Sequence, residues 1–467
     1  MRKNLFIICT LILVSCNIQQ DGMKKDTHVF TGKNGEVKLI VVDPGHFHAS
    51  LLQKKRLPVL NDSVFVYALD STGLISYLSA IDNYNNREVD PTSWFTTCYV
   101  GADYLDRMVN DNSGNVVILA GNNRDKTEKI QYAINAGLHV LSDKPMAINP
   151  DQFRSLENTF TFSKEKGIFL YDMMTERYDV LNIIAKQLIN DELLFGILQQ
   201  GTEEDPAISM ESVHHFYKEV SGAPLIRPAW YYDVEQQGEG IADVTTHLID
   251  LIFWSCFPEI AIDYRKDIRL LSVNHWATSL SQSDFAKSTK LDTFPEYLRR
   301  YLDQEMLHVY ANGIISYKVK DTHIRIKVLW NYMAPEGGGD TFSSIIRGTK
   351  ATLTMLQDRE HHFVKQLYIR KGKDVDNDEF THHLNRCVKM IQKEYPFISF
   401  RKSTDGSFLI NIPEEMREDH EAHFKYVAQR FFSFLQEGKM PEWEVSNTLA
   451  KYYVTTKAVE IVNASSE

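Results

Sequence analysis

The chain has 467 residues, 43% of them hydrophobic and 24% charged, with a formal net charge of −11 at pH 7. This length suggests two domains with ample cores. The acidic balance, with no basic run against it, argues against a nucleic-acid partner. Of the five cysteines, Cys98, Cys256 and Cys387 are scattered and odd in number once Cys9 and Cys16 are set aside. They therefore predict neither a disulfide framework nor a zinc site.

Residues 1–15 read as a signal segment: Arg2 and Lys3 open it, Leu5–Val14 is apolar, and Leu13-Val14-Ser15-Cys16 is similar to a bacterial lipobox. The run is too short to span a bilayer. Cleavage before Cys16 and lipidation of its thiol would leave an exported, lipid-anchored protein on the periplasmic side of a membrane or at the cell surface. Residues 16–36 are polar and read as a tether. Residues 37–178 are expected to form the first domain and 179–467 the second.

Val37–Val42 is a β-rich run followed by Asp43-Pro44-Gly45-His46-Phe47-His48. Strand, tight turn and helix open a dinucleotide-binding unit, in which the turn meets the cofactor pyrophosphate. Of the three positions of a G-x-G-x-x-G fingerprint, occupied here by Asp43, Gly45 and His48, only the middle one is glycine. Val64–Leu69 predicts a second strand ending at Asp70, whose carboxylate suits a ribose 2′-hydroxyl and so NAD over NADP. Asp-Pro-Gly-His-Phe-His also resembles the metal-binding opening of amidohydrolases. That rival needs further ligands after later barrel strands, and His214-His215, His361-His362 and His382-His383 are the candidates.

Asn115–Ala120 predicts a strand ending in Gly121-Asn122-Asn123, Thr127–Ala136 a helix, and His139–Leu141 a strand that runs into Ser142-Asp143-Lys144-Pro145. This alternation is the pattern of a parallel sheet. Further on, Gly238-Glu239-Gly240 ends a loop, and a run without Gly or Pro continues from Ile241 to Trp254. At ~100° per residue on a helix, Asp243, His247 and Asp250 fall within an arc of roughly 60°. Ile241, Val244, Leu248, Leu251 and Ile252 take the opposite side. A histidine one turn from a carboxylate suits proton transfer near neutral pH.

Two motifs together carry a family resemblance. "AGLHVLSDKPMA", preceded by "VVILAGNN", resembles the Glu-Lys-Pro segment of the Gfo/Idh/MocA oxidoreductases, with Asp143 where Glu is usual. "GEGIADVTTHLIDL" is similar to their Gly-Gly-x-x-x-Asp-x-x-x-His-x-x-Asp helix, with Glu239 at the second glycine. The resemblance implies a Rossmann-like parallel sheet followed by an α/β domain with an open, largely antiparallel sheet. It implies Lys144, Asp243 and His247 as the catalytic group, with Lys144 on the reacting oxygen, His247 as the base and Asp243 holding sugar hydroxyls. The cofactor would lie along Asp43, Gly45, His46, Phe47, His48, Asp70, Gly121, Asn122, Asn123, Asp143, Lys144 and Pro145.

In the second domain Glu176-Arg177-Tyr178 resembles the family's crossing point, and Arg177 is a candidate substrate contact. Val180–Leu188 predicts a helix and Leu193–Gly201 a strand. Trp230 and Tyr232 offer aromatic faces suited to carbohydrate. His214, His215 and Lys218 are expected in a long loop within reach of the substrate. Val309–Ile326 predicts strands broken at residues 311–313 and at Asp321, Gly337-Gly338-Gly339 a mobile loop, and residues 344–354 strand with a turn at 347–350. His420–Leu435 and Trp443–Ile461 predict closing helices. The leading expectation is an NAD-dependent oxidoreductase acting on a sugar, glycoside or cyclic polyol, compatible with a homo-oligomer. A cofactor-poor carbohydrate-binding lipoprotein and a metal-dependent hydrolase using His46 and His48 are the alternatives.

Overall fold

The computed structural model describes residues 29–220 and 223–465. The signal segment, Cys16 and most of the tether lie outside the described residues. The first sheet comprises β1 (Leu39–Val42), β2 (Ser63–Ala68), β3 (Phe95–Val100), β4 (Val116–Leu119), β5 (His139–Ser142) and β6 (Leu170–Asp172). All pairs are parallel and the order is β3-β2-β1-β4-β5-β6. β1 and β4 are buried along their whole length, which is why they read as unbroken apolar runs rather than alternating ones. The order reverses between β1 and β4, so the turns after these two strands border the crevice where such sheets bind ligands.

The remaining strands are β7 (Ile208–Tyr217), the short pair β8 (Glu219–Val220) and β9 (Ala223–Pro224), β10 (Ile268–Leu280), β11 (Leu302–Asp303), β12 (Met306–Val319), β13 (Thr322–Met333), β14 (Thr341–Arg347), β15 (Ala351–Gln357), β16 (Gln366–Lys371), β17 (Ser399–Lys402) and β18 (Phe408–Asn411). Most join a second sheet of order β10-β12-β13-β7-β14-β15-β16-β18-β17, antiparallel except for β13 on β7. The architecture is therefore the expected α/β fold, a Rossmann-like sheet followed by a largely antiparallel one. Among the described residues there is no barrel, which removes the framework an amidohydrolase reading requires.

Three expectations about elements fail for local reasons. Leu193–Gly201 is not a strand: Gly196 and Gly201 adopt φ of +75° and +66°, and only isolated bridges form there. β12 continues through residues 311–313, with only a register shift against β10 between Val309 and Asn312, because Gly313 faces both His275 and Val328 in register. The glycine is there for closeness: a Cβ on it would lie 2.2 Å from Ile241 Cγ2. Finally, His214 and His215 lie within β7 rather than in a loop, and Lys218 follows its last residue.

The C-terminal helices tie the two sheets together. Helix His423–Glu437 buries Phe424, Val427, Phe431 and Phe434 in one cluster with Leu39, Val41, Val64 and Val66 of the first sheet. Helix Glu442–Ala464 packs against helices Pro150–Lys166 and Thr245–Cys256. Sequence position 178 thus divides the chain but not the space, since residues 423–437 cover a face of the first sheet. Among the described residues no helix is long and apolar enough to cross a membrane.

Candidate active site

The crevice is built by close backbone packing around the β1 turn. Asp43 adopts φ +49°, a left-handed conformation that glycine takes freely and Asp tolerates. Its carboxylate is paired with Lys129. The backbone role of the missing first glycine is therefore kept by another residue. Two glycines outside the fingerprint let neighbours close on this turn: a Cβ on Gly73 would lie 2.5 Å from the Pro44 carbonyl oxygen, and one on Gly121 would lie 2.5 Å from that of Asp43. At the end of β2, Asp70 is exposed and its Oδ1 accepts from the Thr72 backbone N–H at 2.7 Å. After β4, Asn122 Nδ2 donates to Gln236 Oε1 and Asn123 Nδ2 to the Gln237 carbonyl, both at 2.7 Å. These bonds join the first domain to the loop preceding the histidine helix.

That helix starts later than its sequence suggests. Regular helix spans Thr245–Cys256, while residues 241–244 form a turn tightened by i→i−3 bonds from Thr246 to Asp243 and from His247 to Val244. The glycine run explains the turn. A Cβ on Gly240 would lie 1.8 Å from the Ala311 carbonyl oxygen, so only glycine fits against β12, and the Gly240 N–H donates to the Tyr310 carbonyl at 3.1 Å.

Lys144 follows β5, ahead of Pro145 in a cis peptide. Its Nζ meets Asp243 Oδ1 at 2.5 Å, and Gln237 Nε2 donates to the other oxygen at 3.0 Å. Each oxygen of Asp243 thus accepts from one protein donor, so the residue positions Lys144 while each oxygen keeps a lone pair for a further donor. Burial opposes charge on Lys144, but Asp243 and Asp143 outweigh it and hold its pKa above the ordinary lysine value. Burial likewise opposes ionisation of Asp243, and Lys144 overcomes it to hold that carboxyl below its usual range. His247 feels both Lys144 and Asp243; burial first, then the Lys144 charge, push its pKa down to about 3. Its Nδ1 is buried without a hydrogen-bond partner. A neutral imidazole with an unsatisfied nitrogen, beside a fixed ammonium, is equipped to exchange a proton with a bound hydroxyl.

The structure therefore brings Lys144, Asp243 and His247 together but sends Asp250 elsewhere. Asp250 accepts a bidentate pair from Arg177, whose remaining guanidinium nitrogen binds Glu444. Fully buried Lys451 bridges Asp250 and Asp172. Arg177, only 6% exposed, is thus a structural cation and not the substrate contact expected. Tyr232 is also corrected: it is completely buried, and its hydroxyl donates to Ser288. Trp230 stays partly buried against the core. His215 and Lys218 both donate to Asp340 at 2.9 and 2.6 Å, with His214 Nδ1 3.5 Å from the same carboxylate. This cluster makes His215 a buried support for Asp340, not a group open to substrate.

Four neighbours were not legible as site residues. Lys126 Nζ donates to Asn123 Oδ1 and to the Asp143 carbonyl, and burial lowers its pKa to about 8. Gln237 orients Asp243. Glu176, held well below the usual carboxylate range by Lys365 and His420 despite its burial, acts electrostatically on His247. His420 lies 3.4 Å from Glu176 Oε1 and its ring is 5.7 Å from that of His48. Only the pattern Asn-x-x-Lys after β4 carried a local signal, as a helix start. The other three meet the site through tertiary packing.

The parallel six-stranded sheet followed by a mostly antiparallel one is the fold of the Gfo/Idh/MocA-type oxidoreductases. Residues 184–463 match the family model described as "Putative oxidoreductase C terminal domain", and the chain belongs to that family. It is similar to a crystal structure from Parabacteroides merdae, itself described as a putative oxidoreductase, at 45% identity over 93% of this chain and 99% of that one, with a TM-score of 0.91. Levoglucosan dehydrogenase in complex with NADH shares the fold at 13% identity, covering 92% and 97% of the two chains with a TM-score of 0.56. A 3-ketoreductase from Actinomadura kijaniata, in complex with NADP, shares it at 13% identity, 91% and 97% coverage and a TM-score of 0.53. No curated protein sequence matches the chain.

Proposed function

We propose that this protein is a nicotinamide-dependent oxidoreductase acting on a hydroxyl or keto carbon of a sugar, glycoside or cyclic polyol, with NAD favoured over NADP. The observation that carries the reading is the buried, unpartnered His247 Nδ1 beside the Lys144–Asp243 pair. The residues fit a dinucleotide: Asp70 is exposed after β2, Asp43 at the β1 turn keeps a glycine-like backbone, and the His247 nitrogen is buried without a partner. Gly121, Asn122 and Asn123 follow β4, Asp143 and Pro145 follow β5, and exposed Phe47 follows β1, so all six sit at the strand ends where the dinucleotide would lie. A nicotinamide bound there would accept or return a hydride at the reacting carbon.

The chain's own residues manage the proton and the charge. His247 takes the hydroxyl proton during oxidation and returns it during reduction. Lys144 donates a hydrogen bond to the same oxygen and stabilises the negative charge that develops on it. Asp243 and Gln237 hold Lys144 in place. With a lipidated Cys16, the protein would work outside the inner membrane, where no pool of free nicotinamide cofactor is expected. Its turnover would then be redox-neutral on tightly held cofactor, oxidising one sugar and reducing another, or oxidising and re-reducing the same one. Transient oxidation would also acidify the neighbouring C–H and permit redox-assisted glycoside cleavage.

The decisive experiment is to purify the mature chain without added cofactor, denature it and assay the supernatant for NAD. Absorbance of the intact protein is then followed as sugars are added. Bound NAD with a sugar-dependent change near the reduced-nicotinamide band supports the proposal. An empty protein that fails to bind added NAD refutes it and leaves a carbohydrate-binding role.

A further inference from the structure

We propose that His46, His48 and Asp143 form a binding site for one divalent first-row transition ion, for which Zn2+ is the probe. The site goes beyond the oxidoreductase reading and shares His46, His48 and Asp143 with the turn expected to meet the cofactor, but its test reads metal binding and not oxidoreductase activity. His46 and His48 come from the turn after β1, and Asp143 comes from the end of β5. Each offers one ligating atom, and the three atoms lie within 4.8 Å of one another. Both imidazoles present Nδ1 to the same carboxylate oxygen, Asp143 Oδ2, at 3.0 Å from His48 and 3.7 Å from His46.

Ordinary packing accounts for part of this arrangement, since His46 Nδ1 also accepts a long bond from the His48 backbone N–H at 3.4 Å. The His48 contact is a normal hydrogen bond, and Asp143 needs no other imidazole. The His46 contact is too long for a hydrogen bond, yet it brings the same nitrogen to the same oxygen. Metal–nitrogen and metal–oxygen bonds of ~2.0–2.1 Å in a tetrahedron separate neighbouring ligand atoms by about 3.3 Å. The two observed separations straddle that value, so small shifts of the rings would admit an ion.

The rest of the surroundings suits the ion. Two imidazoles and a carboxylate select zinc, iron, copper or nickel over magnesium or calcium. Three protein ligands leave a position for water or a ligand oxygen, as in catalytic rather than structural zinc sites. His48 and Asp143 are buried and the His46 side chain is 25% exposed, which supplies an entry path. The His48 ring is fixed by Phe424 at 4.7 Å and the His46 ring at 4.1 Å, centroid to centroid. The nearby ammonium groups are turned to other partners: Lys144 to Asp243, and Lys126 to the backbone carbonyl of Asp143 rather than its carboxylate. The site also differs from the amidohydrolase pattern considered above. Its third ligand comes from a Rossmann strand, and none of the other histidine pairs approaches it.

The test uses the mature full chain without an affinity tag, stripped with a chelator and titrated with Zn2+ and, separately, with Co2+. One equivalent of Zn2+ per chain is expected, with Co2+ giving intense visible bands of a four- or five-coordinate site. His46→Ala and His48→Ala should each weaken binding by more than the roughly 10–100-fold that loss of a supporting hydrogen bond costs. His361→Ala, which removes a histidine paired with Asp358 elsewhere, should leave the titration unchanged. Absence of a stoichiometric equivalent, or equal binding by the folded His46 and His48 variants, overturns the site. Should those variants fail to fold, the cobalt spectrum of the natural protein decides. A pale six-coordinate aquo spectrum refutes the proposal, and an intense low-coordinate one supports it.

Discussion

Replacing Lys144 with Met tests the central pair directly, because it removes a charge while nearly preserving volume. In the natural protein the Asp243 carboxylate is buried, the Lys144 side chain is 14% exposed, and the two are 2.5 Å apart. After Lys144→Met, Asp243 keeps only the Gln237 amide at 3.0 Å. Breaking a buried pair by removing one partner typically costs about 3–5 kcal/mol, because the remaining charge is uncompensated. The retained amide argues for the lower end, about 3 kcal/mol at pH 8. The cost should depend on pH. Asp243 has a depressed pKa in the folded natural protein, so its contribution is present above the unfolded value and is lost as pH falls through the folded one. In the variant burial dominates and the folded pKa rises above the unfolded one, so acid neutralises the stranded carboxylate. The stability gap between the two proteins should therefore narrow from pH 8 toward pH 5. Urea unfolding at both pH values measures it, and Lys144→Met/Asp243→Asn should recover part of the loss. A gap below about 1 kcal/mol, or one that does not change with pH, would refute the reasoning, since a solvated surface pair is worth only that much.

Four further outcomes are expected. His247→Ala should slow hydride transfer by roughly 10²–10⁴-fold while leaving cofactor affinity nearly unchanged; single-turnover rates and equilibrium binding separate the two effects. Because the His247 pKa is pushed down to about 3, its ring is neutral in the folded protein throughout pH 5–8 and should add no acidic limb to the kcat/KM profile there. Asp70→Ser should raise NADP affinity relative to NAD, measured by fluorescence titration, and unchanged selectivity would remove Asp70 from the ribose. Arg177→Met should destabilise the fold by about 3–5 kcal/mol, through stranded Asp250 and Glu444, while KM of the folded fraction stays the same. A selective rise in KM would return Arg177 to the substrate.

The sequence by itself determined the main strands of the first sheet and the two motifs, while the grouping of Lys144 with Asp243, 99 residues away, and with His247 came from the family resemblance. These features are local or periodic: buried parallel strands read as apolar runs, and the glycines before a helix mark a turn. What side chains do on meeting was decided by tertiary structure alone. Arg177 and Tyr232 looked like substrate residues because an exposed and a buried polar group are written with the same letters. Only the packing of Glu444, Asp250 and Ser288 around them shows that they are structural. The damaged fingerprint misled for a related reason. The turn needs a left-handed residue and close neighbours, and Asp43, Gly73 and Gly121 supply these from three places in the chain. Likewise, 95 residues separate His48 from Asp143, and no spacing rule joins them. The parallel order of β1, β4 and β5 does so, by setting the carboxyl end of β5 beside the turn that follows β1.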